Sequence, residues 1–370
     1  MTIRLLYFVS HPIQYQAPLL RLIAHEPDLS LKVVFEHDFS SGRYRDAGFG
    51  VDVEWDVPLR DGYDSTLAVE TDLADAIRAA DVVWLHGWQS ALMRRVLTLS
   101  NRIGRPVLMR GENWSGAMPD GPPPRNWIKR LYLARIFSRC QAFLAIGSQN
   151  RAYYTARGIE PARIFDMPYA VDNDFFSSRA TRTAAAEVRA RHRIAPDRKI
   201  LLYAGKLTQR KHADHLMTAW NAAEWPDGQR PALLIVGDGE LRSTLERAAD
   251  ADVIFAGFRN QSEMPAYYAA ADLFALLAER EPWGLAVNEA MACGTGVIAT
   301  DEVGAAHDLV GPETGFCLPT GDVAGLARAL PGLMARSVEM GRAAKARIAS
   351  WDFRADIAGL RAALDSVVRP

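Results

Sequence analysis

Glu281 and Glu289 stand with seven residues between them in the stretch "EREPWGLAVNEAMACGTGVIAT", residues 279–300. Lys206 and Lys211 lie in "AGKLTQRKH", with Arg210 beside the second lysine. Carboxylates accept hydrogen bonds from sugar hydroxyls, and grouped cations suit a diphosphate. Plainer readings exist for each pair. The glutamates could be helix-terminal charges placed for the macrodipole, and the lysines a solvated basic turn. A glycosidase also uses two carboxylates, but it needs one with a raised pKa, which spacing does not reveal.

What positions these residues is an alternation of short apolar runs with helical patterns. In the first half the runs "IRLLYFV", "LKVVFEH", "ADVVWLHG", "PVLMRG" and "AFLAIG" read as strands. The second half supplies "KILLYAG", "ALLIVG", "VIFAG", "LFALLA", "GVIAT" and "GFCLP". Strands alternating with helices predict βαβ units and a mostly parallel sheet. Runs apolar on both faces predict strands covered by helices on both sides. The expected organisation is an N-terminal domain over 1–172, a polar and basic linker over 173–198, a C-terminal domain over 199–350, and a final helix over 351–370. Phe353, Ile357, Leu360, Leu364 and Val367 give that helix one apolar stripe, with Ser350 as its expected N-cap. Ligands of open α/β sheets bind at the carboxyl ends of the strands. The chemistry is therefore expected in loops that follow strands, in a cleft faced by two such domains.

Gly205 and Lys206 follow a strand directly, and Lys211 opens a helix, where free backbone N–H groups already favour an anion. Glu281 lies before a helix N-terminus and Glu289 one turn inside it. The "GDG" after "LLIV" lacks the third glycine of a dinucleotide fingerprint and reads as tight-turn use of glycine.

The composition excludes several classes. Over 370 residues the net charge is -1, so no global field draws the chain to nucleic acid. With 49% hydrophobic and 24% charged residues, packed cores are expected. The three cysteines, Cys140, Cys293 and Cys317, are scattered, which argues against a disulfide framework or zinc site and for a reducing compartment. No apolar run approaches a membrane span. The expected location is cytoplasmic, with room for peripheral membrane contact.

"EPWGLAVNEAMACGTGVIAT" resembles the E-x7-E signature of the retaining nucleotide-sugar glycosyltransferases of family 4, and "AGKLTQRKH" their G-R-L-x-x-x-K-G segment. "LLIVGDGELRSTLE", "VIFAGF" and "TGFCLPTGD" follow in the expected order, so the resemblance spans nearly all of residues 199–325. It implies the GT-B fold, two Rossmann-like doubly wound domains facing a cleft, with the C-terminal helix packing back toward the N-domain. It also implies transfer of a sugar from a nucleoside-diphosphate sugar to a hydroxylated acceptor, with retention and without a metal or other cofactor. By the same resemblance Lys206 and Lys211 bind the donor diphosphate, with Gly205 beside them. Glu289 holds the ribose, and Glu281 with the amides of Trp283, Gly284 and Leu285 holds the sugar. Phe258 and Arg259 fall on the donor side. UDP is expected ahead of GDP. Lys206 replaces the usual arginine, His212 the usual glycine, and Tyr169-Ala170 the usual Asn-Gly. A sugar-nucleotide epimerase on the same scaffold, or a binding protein without turnover, are the alternative functions.

The first half carries polar residues at its own strand ends: His11, Gln14, His86, Arg110 and Glu112. They suit a saccharide or another hydroxylated acceptor. Between Asp120 and Glu160 there is no acidic residue, while Arg125, Lys129, Arg130 and Arg135 alternate with Trp127, Ile128, Leu131 and Tyr132. Such a helix either covers its own sheet or lies on an anionic membrane.

Overall fold

The computed structural model describes residues 2–368 apart from 123, 227 and 229. The first part of the chain forms β1 (Ile3–Val9), α1 (Ala17–Ala24), β2 (Leu29–Phe35), β3 (Tyr44–Asp46), β4 (Val51–Val53), β5 (Asp64–Leu67) and α2 (Leu73–Ala79). It continues with β6 (Val82–His86), α3 (Ala91–Ile103), β7 (Val107–Arg110), α4 (Arg125–Phe137), β8 (Ala142–Ala145), α5 (Ser148–Thr155) and β9 (Ile164–Asp166). Then come α6 (Asn173–Arg179), α7 (Arg182–Arg191), β10 (Ile200–Ala204), α8 (Ala213–Ala222), β11 (Ala232–Val236), α9 (Arg242–Ala248), β12 (Val253–Gly257) and α10 (Met264–Ala270). The chain ends with β13 (Leu273–Leu276), α11 (Leu285–Ala292), β14 (Gly296–Thr300), α12 (Ala306–Leu309), β15 (Gly315–Leu318), α13 (Val323–Ala335), α14 (Ser337–Ile348) and α15 (Phe353–Val367).

These elements form two compact units. One holds residues 1–43, 57–169 and 353–370, and the other holds 44–56 and 170–352. The first unit has a parallel sheet in the order β5-β2-β1-β6-β7-β8-β9. Strands β7 and β8 are buried at every residue because helices cover them. The second unit has a parallel sheet in the order β12-β11-β10-β13-β14-β15, and β10, β11 and β14 are again buried throughout. Each sheet has its own apolar core, around Val83, Phe137 and Tyr154 in one and Tyr203, Trp220 and Leu330 in the other. Both orders run outward from the first strand in two directions. That is the doubly wound arrangement, and it leaves a switch point between β1 and β6 in one sheet and between β10 and β13 in the other.

The C-terminal helix α15 packs in the first unit. The fully buried Arg110 reaches across to Asp356 of α15 at 3.0 Å, and Arg361 pairs with Asp28 at 2.6 Å and with Glu26. Gly359 brings the helix backbone so close to Asp166 that a Cβ there would lie 1.8 Å from its carbonyl oxygen.

Three sequence expectations need correction. Residues 44–56 do not stay with the N-terminal domain: β3 and β4 pair antiparallel and belong to the second unit. The span 173–198 is not an open linker, since α6 and α7 occupy most of it within that same unit. Ser350 does not cap the last helix, which begins only at Phe353.

Candidate functional site

The second unit brings the candidate residues of the second half to the switch point of its sheet. Lys206 lies just after β10 and Glu281 just after the neighbouring β13. Their loops are joined along the backbone, because the Glu279 amide donates to the Arg210 carbonyl at 2.9 Å. Arg210 returns a hydrogen bond to the Arg280 carbonyl at 2.9 Å. Lys211 Nζ meets Glu281 Oε2 at 2.5 Å, and Arg210 stands 3.9 Å from the same oxygen. Both partners of the close pair are largely shielded, with 16% and 14% of their side-chain surface exposed. His212 and Arg280 flank these groups with φ of 51° and 49°, a left-handed conformation that costs side-chain-bearing residues energy. The position where the resemblance leads one to expect glycine therefore keeps glycine's backbone conformation while carrying a histidine.

Glycine does serve the approach of the neighbouring loop. At Gly237 a Cβ would lie 1.9 Å from the Gly205 carbonyl oxygen, so the "GDG" stretch exists to let two strand-end loops touch. Gly205 itself donates its amide to Val236.

Gly284 caps α11 at φ 94°, and a Cβ there would meet Leu276 and Val303 at 2.8 and 3.0 Å. Leu285 starts the helix, so the amides of 284–286 stand at its N-terminus. Trp283 is buried and does not present its ring. Its Nε1 donates to Asn288 at 2.9 Å, and it stacks on Trp351 with centroids 5.5 Å apart. Glu289 receives a hydrogen bond from the Tyr268 hydroxyl at 2.8 Å. Burial pushes its pKa up to about 7, with the Tyr268 bond pulling the other way. Phe258 follows β12 and meets Phe49 and Trp55 edge-on. Arg259 donates to the Ala256 carbonyl at 2.8 Å and pairs with Glu263 at 3.3 Å.

Lys206 is the site residue whose setting sequence reasoning missed. Its Nζ lies 2.8 Å from Asp46 Oδ1 and 3.0 Å from Oδ2. Asp46 ends β3, 160 residues earlier, and no motif around it signals the pairing.

In the first unit, His86 and Glu112 come together at 3.3 Å. Tyr7 Oη lies 2.8 Å from His86 Nδ1, and Tyr169 Oη lies 3.0 Å from its Nε2. Glu112 also receives the Tyr169 hydroxyl and, at 3.5 Å, that of Tyr15. The surrounding protein opposes the Glu112 charge, but His86, Tyr169 and Arg110 outweigh this and hold its pKa down at about 2. The side chain keeps 38% of its surface open. Here the sequence found His86 and Glu112 but not Tyr7, Tyr15 and Tyr169, which complete the group. Arg110 is sealed beneath it, fully buried, with its guanidinium 4.6 Å from the Tyr169 ring centre. His11 is half-buried and packs on Phe39 at 4.6 Å, with burial lowering its pKa. Gln14 lies in the turn before α1, half-buried.

Among the described residues, one group of three has metal-ligand types close together: His212, Asp214 and His215, with ligand atoms within 4.8 Å of one another. It lies next to Lys211 in the chain.

Residues 185–348 match the family model described as glycosyl transferases group 1. That range contains Lys206, Lys211, Glu281 and Glu289. The chain is 31% identical over 244 residues to a GDP-mannose-dependent alpha-(1-6)-phosphatidylinositol monomannoside mannosyltransferase of Mycobacterium tuberculosis, a match covering 61% of this chain and 62% of that one. It is also 38% identical over 136 residues to a GDP-mannose-dependent alpha-mannosyltransferase of the same organism, covering 36% of this chain and 33% of the relative. The chain thus spans less than two thirds of the length of these relatives. In fold it is similar to HepE of Anabaena, solved in complex with UDP and glucose, with a TM-score of 0.74 at 16% identity over 98% of this chain and 100% of that one. The chain shares with that protein a fold of two α/β units, each built on a parallel sheet. No helix among the described residues is long and apolar enough to cross a membrane.

Proposed function

We propose that the protein transfers a glycosyl group from a nucleoside-diphosphate sugar to a hydroxylated acceptor, with retention of configuration and without a metal. The observation that carries this is the grouping at the second sheet's switch point. Lys206, Arg210 and Lys211 follow β10, Glu281 follows β13, and Glu289 lies one turn into α11. A donor placed there meets cations at its diphosphate and a carboxylate near each end. As the sugar–phosphate bond breaks, negative charge grows on the leaving diphosphate. Lysines already in position stabilise it more than they stabilise the bound donor, which is the condition for faster chemistry. Glu281, held by Lys211, is oriented to accept from a sugar hydroxyl. Glu289, as a carboxylate, accepts from the ribose.

The nature of the base shifts from the expectation drawn on sequence alone. The relatives at 31% and 38% identity are GDP-mannose-dependent by name, whereas the UDP complex lies at 16% and speaks only for fold. GDP-mannose is therefore the first donor to test, with UDP-glucose second.

On the acceptor side, the His86–Glu112 group with its three phenols suits hydroxyl recognition. Helix α4 supports a surface-bound acceptor. Leu133, Ile136 and Phe137 cover the sheet, but Trp127, Ile128, Leu131 and Tyr132 are exposed at 65%, 60%, 52% and 43%. Arg125, Arg130 and Arg135 are exposed around them. An outward apolar stripe edged with arginines fits an anionic bilayer.

The test is incubation with GDP-mannose, UDP-glucose and related donors, with and without saccharide or lipid-linked acceptors, reading released nucleoside diphosphate. Acceptor-dependent release from one donor is the expected result. Interconversion of the sugar on an intact nucleotide would move the assignment to an epimerase.

A further inference from the structure

The pair β3–β4 comes from the first sixty residues yet belongs to the second unit, and its contacts there are specific. Asn260 Nδ2 donates to the Glu54 carbonyl at 2.6 Å, and the Ser262 amide donates to Asp56 Oδ1 at 3.3 Å. Phe49 and Trp55 pack on Phe258 with centroids 5.0 and 6.2 Å away. The loop after β12 therefore holds the base of the hairpin, and the hairpin's turn lies against Lys206. The Phe49 ring centre is 5.0 Å from Lys206 Nζ. At Gly48 a Cβ would come within 2.5 Å of Lys206 Cδ, so a larger residue there would have to displace the lysine side chain.

Asp46 is arranged to hold a charge at this point. Its Oδ1 accepts from the Gly48 and Phe49 amides at 2.8 and 2.9 Å, and both oxygens face Lys206. Only 14% of its side-chain surface is exposed. Burial opposes the charge, but Lys206 and the two amides prevail and keep the pKa below the ordinary aspartate value.

We propose that the hairpin Tyr44–Asp56 is a wall of the donor site, and that Asp46 is a built-in anion which occupies Lys206 until a diphosphate displaces it. The proposal rests on the reading of Lys206 as a diphosphate ligand. A diphosphate offers more charge and more acceptor oxygens than one carboxylate, so it competes successfully for the ammonium. On release Asp46 Oδ1 keeps the Gly48 and Phe49 amides, and Oδ2 gives up its lysine partner. A weaker anion lacks the charge to win the exchange. The hairpin thus raises the selectivity of the site for polyphosphate while lowering its affinity, a cost accepted for discrimination.

The experiment is calorimetric titration of the full chain with inorganic pyrophosphate. The proteins are wild type, D46N, K206A and the double variant. D46N keeps the side-chain carbonyl that accepts from Gly48 and Phe49, so the turn is preserved while the charge at Lys206 is lost. D46N is expected to bind pyrophosphate about tenfold more tightly than wild type. K206A binds more weakly than wild type, and K206A/D46N binds no more tightly than K206A, because Asp46 acts through Lys206. If D46N binds as wild type does, more weakly, or not at all, the hairpin proposal is overturned even where K206A still shows loss. A double variant tighter than K206A overturns it as well. If instead K206A binds pyrophosphate as wild type does, the diphosphate role of Lys206 is what fails.

Discussion

Glu289 is half-buried, and apart from Tyr268 its surroundings do little to support a charge, so it carries a pH signature. Its folded-state pKa of about 7 stands above the ordinary 4.5. Below about pH 4.5 both folded and unfolded states hold the proton, and the stability tied to this group is fully present. As pH rises through 7 the folded state must bury a charge that the unfolded chain keeps in water, and that stability is lost. Glu289→Gln is therefore expected to be more stable than wild type at pH 8 by an amount on the order of 2–3 kcal/mol of unfolding free energy, with the two converging near pH 4 to 5. The same variant should bind the nucleoside diphosphate about tenfold less tightly at pH 8, having lost its charged ribose acceptor. Parallel melting curves at every pH would remove the buried-carboxylate account, and unchanged affinity would remove the ribose role. Lys211 gives the complementary case. Lys211→Ala should lower kcat by about 100-fold or more through the lost leaving-group charge. It should cost only about 1 kcal/mol of stability, since Arg210 stays near Glu281. A stability loss as large as the rate loss would make the lysine a structural partner of Glu281.

Elements were legible in proportion to how much they bury. The eleven strands read from sequence are all present, and most are apolar runs buried along much of their length, β7, β8, β10, β11 and β14 throughout. The hairpin β3–β4 was invisible: of its six residues only Val53 is buried, so no alternation marks it. Helices α6 and α7 each bury a single residue, Phe176 and Val188, too few to form a stripe, and their polar sequence read as linker. Helix α4 was readable as apolar and basic, but not which way its aromatics point. The exposed stripe leads to a prediction at this scale. Trp127→Ser/Ile128→Ser/Leu131→Ser, and separately Arg125→Glu/Arg130→Glu/Arg135→Glu, should each reduce sedimentation with anionic liposomes by about tenfold at low salt, while neutral liposomes capture little of any protein. Raising salt should weaken the wild type toward the arginine variant, as the range of the attraction shrinks to about 8 to 10 Å. Lys129 is left out because it is already paired with Asp120 at 2.9 Å. Equal sedimentation of all three proteins would leave the stripe without a bilayer partner, and a concentration-dependent dimer in wild type alone would assign it to a second copy.

Across the whole chain, the contacts that escaped sequence reading join residues far apart in sequence. Asp46 meets Lys206 across 160 positions and Arg110 meets Asp356 across 246. A local motif records neither: one joins an antiparallel hairpin to the loop after β10, and the other joins the end of β7 to the C-terminal helix. Glu281, Glu289, Lys206 and Lys211 were readable because one short segment after each of two strands carries them. Of a chain with 44 acidic residues and eight histidines, the metal-like grouping among the described residues is His212, Asp214 and His215, and it adjoins a lysine and an arginine already suited to phosphate. A divalent cation there would compete with Lys211 for the role of neutralising the diphosphate, and the lysines bring their charge without one. Turnover is thus expected to survive EDTA with less than about a twofold change, where a metal supplying the leaving-group stabilisation would be missed by 100-fold or more. The measurement is the initial rate with the working donor after dialysis against chelator, then with magnesium, manganese or zinc restored. Loss on chelation with recovery by one of these ions would overthrow the metal-free reading. The variant His212→Ala/His215→Ala would then show whether this grouping holds the ion, by abolishing the recovery.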